Sequence, residues 1–273
     1  MKKKILALAL AFGLCLSLSA CGGKKNEKVT LKVGASPTPH AQILEQVKPI
    51  LAEQGIDLQI IEYSDYVIPN TAVEEGENDA NYFQHNESMN DFNAGQNTHL
   101  VSLANIHYEP FGAYAGKNEH LTSLSDLPDG ASIAIPNDGT NEARALYLIE
   151  AEGLITLDHT QDFAKTTPLD ILENPKNLEF VELEAAMLPH SLEDVDCAVI
   201  NGNYALGANL SIEDAIAIEA AESEAGTTYA NIICVREGNE DNEAVLALIN
   251  ALKSDTIRDY INETFSGAVV PLF

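Results

Sequence analysis

Two α/β lobes facing one another across a cleft are predicted for this chain, and three features of the sequence predict them. Short apolar runs of strand length alternate with segments of helical periodicity, the pattern of a mostly parallel sheet flanked by helices. Several of those runs begin or end in asparagine-bearing polar turns, namely Pro136-Asn137-Asp138-Gly139, Asn201-Gly202-Asn203 and Tyr229-Ala230-Asn231. A third feature is the extended stretch Leu100 to Tyr114, longer than an average strand and broken by Pro110 and Gly112, which is placed as a passage from one sheet to another.

Length and charge set the outer bounds. A chain of 273 residues that is 45% hydrophobic is long enough for two cores. Lys+Arg number 15 against Asp+Glu 42, a formal net charge of −27. That balance argues against nucleic acid and an anionic membrane face as partners, because phosphate recognition needs clustered cations.

The first residues are more specific. Lys2, Lys3 and Lys4 precede the apolar run Ile5 to Leu18, which ends in Leu18-Ser19-Ala20-Cys21-Gly22-Gly23. A basic start, a short apolar run and small residues read as a secretion signal and not as a membrane span. The ending resembles a bacterial lipobox, which implies that residues 1–20 are removed, that Cys21 carries acyl chains and that 21–28 is a tether.

From Val29 the elements follow in order. Val29 to Gly34 is a strand, Ala35 to Pro39 a turn, and Ile43, Leu44, Val47, Ile50 and Leu51 recur at helical spacing until Gly55. Pro49 lies inside that pattern and predicts a kink or an early stop. A strand around Leu58 and Ile60 comes next, then a loop and helix ending near Gly76, then a brief strand from Asn78 to His85. After the long crossing, Leu124 to Gly130 reads as a short helix and turn, Ala131 to Ile135 as a strand, and Asn141 to Glu152 as a helix stopped by Gly153. A strand at Leu178 to Leu183, a helix from Ala185 to Val195 broken at Pro189, and a strand at Cys197 to Ile200 complete the second lobe. Ile232 to Val235 is the return crossing, and one helix from about Asn242 to Thr264 rejoins the first lobe. The lobes are therefore drawn as 29–110 with 232–273, and 111–231.

Candidate chemistry concentrates at the strand ends. Arg144 sits one turn into a helix that follows a tight strand-to-helix turn. Helix N-termini attract anions, and a guanidinium can grip a carboxylate with two hydrogen bonds. By spacing alone Arg144 is either a ligand clamp or a surface ion pair. Tyr66, Phe83 and His85 either line one wall of a pocket or pack in the core, and His40 is read as structural. His85, His99, His107 and His120 lack metal-ligand spacing, so no metal is expected. No nucleophile elbow, zinc-protease helix, Walker loop or dinucleotide fingerprint is present, which points to binding without chemistry and without a cofactor. Cys15 and Cys21 fall to the signal and anchor; Cys197 and Cys234 lie in apolar strands and are read as small buried hydrophobes.

A set of motifs then carries a resemblance. Pro37-Thr38-Pro39-His40-Ala41, Asp65-Tyr66-Val67, Phe83-Gln84-His85, Ile135-Pro136-Asn137-Asp138, Thr140-Asn141-Glu142 with Arg144, Glu173-Asn174-Pro175-Lys176-Asn177, Ala198 to Ala205, Tyr229-Ala230-Asn231 and Gly267 to Pro271 are similar to those of the methionine-binding lipoproteins of ABC importers, the NlpA lipoprotein family, from about Lys32 to Phe273.

The resemblance implies a periplasmic-binding-protein-like clamshell of type II that is not an enzyme. It would be anchored by lipid on the extracytoplasmic face, capture L- or D-methionine and pass it to a permease with an ATPase. Carried over residue by residue, Arg144 would hold the ligand carboxylate, Asn141, Asn201 and Asn231 its head group, and Tyr66, Phe83 and His85 its side chain. One departure is Asn86-Glu87-Ser88-Met89, where the family has Pro-Tyr; Ser88 replaces an aromatic and implies a wider or more polar pocket. Tyr82 also stands where phenylalanine is common. The alternatives are another amino acid or a short methionine peptide in the same role, a surface lipoprotein binding a protein or metal, and an extracellular hydrolase.

Overall fold

The computed structural model describes residues 28–117, 120–160, 163–220 and 228–273. The expected signal peptide, Cys21 and the tether as far as Glu27 lie outside the described residues.

Among the described residues thirteen strands form two principal sheets and a two-stranded ribbon. The first sheet contains β1 (Val29–Ala35), β2 (Ile56–Glu62), β3 (Ala80–His85), β4 (Leu100–Tyr108), β12 (Asn231–Arg236) and β13 (Val270–Pro271), in the order β13-β4-β12-β3-β1-β2. The second contains β5 (Gly112–Ala115), β6 (Ser132–Pro136), β9 (Glu179–Leu183), β10 (Cys197–Ile200) and β11 (Ala217–Ile218), in the order β11-β5-β10-β6-β9. The ribbon pairs β7 (Thr156–Leu157) with β8 (Ile171–Glu173).

Why these runs are strands follows from their burial. β3 and β10 are buried at every position, as central strands covered on both faces must be. β1 runs parallel to β2 and β3, while β6 runs parallel to β9 and β10. The carboxyl ends of β3, β6 and β10 carry the residues that face the cleft, the usual location of a ligand on an open α/β sheet. β12 runs antiparallel to β3 and pairs Asn231 with His85, so its first residue arrives at the same edge.

The long run from Leu100 divides as its proline and glycine demand. β4 belongs to the first sheet and β5 to the second, with Glu109, Pro110 and Phe111 crossing between them. The return passes from β11 to β12, and residues 221–227 of it lie outside the described residues. Each sheet has its own apolar core. Leu31, Val33, Leu44, Val47, Ile106, Ile233 and Leu248 pack in the first, and Phe111, Ile133, Ile135, Leu146, Ile149 and Val199 in the second.

Helices α1 (Gln42–Glu53), α2 (Ile68–Glu74), α3 (Asn86–Gln96), α4 (Gly139–Ala151), α5 (Leu188–Ser191), α6 (Gly202–Gly207), α7 (Glu243–Leu252) and α8 (Asp255–Phe265) cover the sheets. Gly153 adopts φ +76° just beyond α4, the left-handed conformation that ends a helix without steric cost in glycine.

Four elements differ from expectation. α1 continues through Pro49, because Pro49 and Glu45, whose carbonyl loses its donor, are both exposed residues. α3 was not anticipated: its mostly polar sequence hides the period, and it is held by a cap, the His85 side chain accepting the Ser88 N–H at 3.2 Å, and by Met89 and Phe92 packing on the sheet. The single C-terminal helix is two, since Ser254 takes extended backbone angles and begins α8. Pro189 lies in the first turn of α5 and opens that helix instead of breaking it. Among the described residues no helix is long and apolar enough to cross a membrane.

Candidate ligand-binding cleft

Tyr66, Phe83, Gln84, Ser88 and Asn231 from one side, and Asn141, Arg144, Asn201, Gly202 and Asn203 from the other, line a cavity floored by Glu109 of the crossing. Six of the seven residues expected around a ligand are among them. His85 is not in the lining; it stands behind it, edge-on to Tyr229 at 4.9 Å, and caps α3. Burial and the neighbouring Arg144 hold its imidazole neutral, with the pKa lowered to about 3.

Contacts across the cleft are polar. Tyr66 donates its hydroxyl to Asn203 Oδ1 at 2.5 Å, and Tyr204 donates to the Ser64 carbonyl at 3.0 Å. Ser88 Oγ meets Thr140 Oγ1 at 3.0 Å. The position expected to be aromatic is thus a hydroxyl pair spanning the two sides. Phe83 and Tyr66 stack obliquely at 5.9 Å and form an apolar strip beside it.

Arg144 is buried, and its guanidinium is already engaged. Nε donates to Glu219 at 3.0 and 3.1 Å, Nη2 pairs with the same carboxylate, and Nη2 also reaches the Glu109 carbonyl at 2.9 Å. Those bonds leave Nη1 outside them. The rings of Tyr229 and Phe111 lie 4.3 and 4.6 Å from the guanidinium carbon. Burial works against the ionised Glu219, but Arg144 beside it pulls the carboxyl below its usual range. Tyr108 donates to the same carboxylate at 2.5 Å. The alternative of a surface ion pair is therefore replaced by a buried one.

The amides have a fixed direction. Asp138 caps α4, its Oδ1 accepting the Asn141 N–H at 3.2 Å and the Asn141 side-chain Nδ2 at 2.8 Å. Asn141 Oδ1 then accepts Asn201 Nδ2 at 3.0 Å. Asn201 Oδ1 ends this chain, buried and without a hydrogen-bond partner. On the other side His40 Nε2 donates to Asn231 Oδ1 at 2.8 Å, which turns the Asn231 amide donor outward.

Glu109 lies at the meeting of these networks. His107 Nε2 donates to its Oε1 at 2.7 Å, and His40 Nε2 approaches the same oxygen at 3.4 Å. Tyr82 hydrogen-bonds the other nitrogen of His107. Burial lowers the pKa of His40 to about 4 and that of His107 to about 3, so both are neutral. His40, His107 and Glu109 offer ligand atoms within 4.8 Å of one another, the one such group among the described residues; only His107 belongs to the histidine set weighed from the sequence. His107 Nε2 is already hydrogen-bonded to Glu109, and His40 Nε2 to Asn231.

Glu109, Asn203, Gln84 and Glu219 were not foreseen. An acid inside the apolar crossing, Tyr108-Glu109-Pro110, was a signal for the first; Glu219, one acid among 42, gave none.

A polar cleft between two α/β lobes, lined by amides, an arginine and aromatic rings, defines a substrate-binding protein of the clamshell class. The chain belongs to the NlpA lipoprotein family, whose model matches residues 31–273. It is 38% identical to the methionine-binding lipoprotein MetQ of Bacillus subtilis, over 99% of both chains. Its fold is that of a nutrient binding protein from Burkholderia cenocepacia solved bound to methionine, with a TM-score of 0.83 and 40% identity over 89% of this chain and 100% of that one. A periplasmic substrate-binding protein of an ABC transporter from Coxiella burnetii matches with a TM-score of 0.82 and 38% identity, over 89% and 100%.

Proposed function

We propose that this chain is the extracytoplasmic substrate-binding lipoprotein of an ABC importer, capturing methionine between its lobes and delivering it to a permease served by a cytoplasmic ATPase. The observation that carries the reading is the cleft itself, where a buried arginine, outward-facing amides and an apolar strip converge on one cavity. A zwitterion with a thioether tail has matching needs: its charges must be paired when buried, and its sulfur packs well against rings.

In this reading Arg144 Nη1 and the Asn231 amide N–H meet the ligand carboxylate, and Tyr66 and Phe83 hold the side chain. Asn141 orients Asn201, and His85 supports the wall from behind. The lobes are residues 29–110 with 232–273, and 111–231, hinged at the two crossings. Residues 1–20 are the signal, Cys21 bears the lipid, and the protein stands on the outer face of the cell membrane. It binds without turning its ligand over and uses no cofactor.

Another amino acid or a short methionine peptide in the same cleft is a second reading, favoured by the Ser88–Thr140 hydroxyl pair where an aromatic was expected. Calorimetric titration of the full chain in detergent, after denaturation and refolding to remove carried-over ligand, distinguishes them. Methionine, other amino acids and methionine dipeptides are the titrants. One-to-one methionine binding that is lost in Arg144→Ala supports the first reading; binding only of another amino acid or dipeptide supports the second; no binding overturns both.

A further inference from the structure

We infer that Tyr204 and Leu206, neither of which lines the ligand cavity, are positioning residues for it: they clasp helix α6 onto the opposite lobe and supply part of the free energy of closure without touching the ligand. The inference goes beyond the methionine reading and rests only on the two-lobed clamshell.

Helix α6 is where the two lobes exchange apolar side chains. Its six residues follow β10 directly, and Asn201, in extended backbone, makes the turn between them. Successive helix residues face about 100° apart, so neighbours in sequence can serve different cores. Ala205 is buried in a small core of the second sheet with Leu188, Ala198 and Ile200, whereas Leu206 packs against the core of the first sheet. Tyr66 does the reverse. It belongs to the loop before α2, yet it packs against the same small core as Ala205. Each lobe therefore holds an apolar side chain of the other.

Polar contacts run alongside. Tyr204 donates to the Ser64 carbonyl at 3.0 Å, its ring centre lies 5.1 Å from that of Tyr66, and Tyr66 donates to Asn203 Oδ1 at 2.5 Å. Helix α6 also packs on the turn Pro37–Ala41 that follows β1. Grooves between the lobes flank it, one of about 280 Å³ beside Tyr63 and Ala208 and one of about 360 Å³ beside Leu210 and Phe265. The clasp thus stands between two gaps, and its contacts part whenever the lobes do. Parting exposes Leu206 and Tyr66 to water and breaks both hydrogen bonds, whatever the cavity contains. At the other end of the same helix Asn201, Gly202 and Asn203 line the cavity, so docking α6 also sets that wall. Because apparent affinity scales with the fraction of chains in the competent form, a weaker clasp weakens every ligand by one common factor.

The test uses the full chain in detergent with spin labels at Glu53→Cys and Glu179→Cys, exposed positions on opposite lobes; the native Cys197 and Cys234 are buried. Label-to-label distances are measured without ligand, and calorimetry is run with methionine and with ethionine, one methylene longer. Leu206→Ala is expected to move the distances toward the longer, open values and to weaken both ligands by about tenfold, leaving their ratio unchanged. Tyr204→Phe, which removes one hydroxyl, should act in the same direction by about threefold, and it decides the matter if Leu206→Ala loses its near-ultraviolet circular dichroism. A shift of the distances, or a loss of both affinities in common proportion, supports the clasp. Unchanged distances with unchanged affinities overturn it, and so does an altered methionine-to-ethionine ratio, which would place the effect inside the cavity. Binding of no amino acid would remove the methionine reading alone, since the distances still decide the clasp.

Discussion

Arg144 directs Nε and Nη2 at the carboxylate of Glu219 and leaves Nη1 as its third edge. The two residues are 75 positions apart, so the fold, not local sequence, makes the pair.

Glu219→Gln tests what that pair does. Breaking a buried ion pair by removing one partner costs about 3–5 kcal/mol, because the other charge is stranded. The melting temperature should fall, and a ligand carboxylate should restore part of it. Thermal melts with saturating methionine and methioninamide read the difference, which should be larger in the variant than in the parent chain; equal shifts would show that Nη1 does not meet the carboxylate.

Gly202→Ala places a methyl group within 2.8 Å of Glu109. Glu109 is fixed by His107 and cannot retreat without breaking a buried hydrogen bond. We expect at least a tenfold loss of methionine affinity, about 1.4 kcal/mol, with circular dichroism unchanged. Unaltered affinity would show that the acid's position is unimportant.

Acid should weaken the fold partly through His85. Its pKa in the folded chain is lowered to about 3 by burial and by Arg144, below the 6.5 of the unfolded state. The unfolded chain therefore binds the proton first as pH falls below 6.5, and stability is lost from there downward at about 1.4 kcal/mol per pH unit for this group. Denaturant melts of His85→Gln and the parent chain between pH 7 and 5 should diverge in slope by that amount. Parallel curves would contradict a neutral buried imidazole.

Pro49→Ala should stabilise helix α1. The substitution restores a donor for the Glu45 carbonyl and removes the ring clash, offset by greater freedom in the unfolded chain. A net gain of about 1–2 kcal/mol corresponds to several degrees in melting temperature. A lower melting point would mean that Pro49 has a packing role on its exposed face.

Much of this was legible from residues alone, for identifiable reasons. Strands such as Cys197–Ile200 announce themselves because a doubly covered strand has no polar face. Asn141, Asn201 and Asn231 stood out because asparagine at a strand boundary has local hydrogen-bonding work there. Helix α3 did not, since Met89 and Phe92 are the only large apolar residues in it, too few to show a period, and its start depends on the His85 cap. Glu219 was unreadable for a related reason: its meaning comes from Arg144, far away in sequence, and an acid looks the same in solvent or opposite a buried guanidinium. The Ser88 substitution was visible, but its partner Thr140 was not, because that contact exists only once the lobes face one another.

Cys197 lies at the centre of the second sheet and Cys234 at the centre of the first, both buried, with burial pushing each thiol up to about 12. Each lobe thus contains a single built-in reporter that reacts only when its own strands part. Alkylation followed by peptide mapping would time the opening of the two lobes separately in one unmodified chain, and show which gives way first.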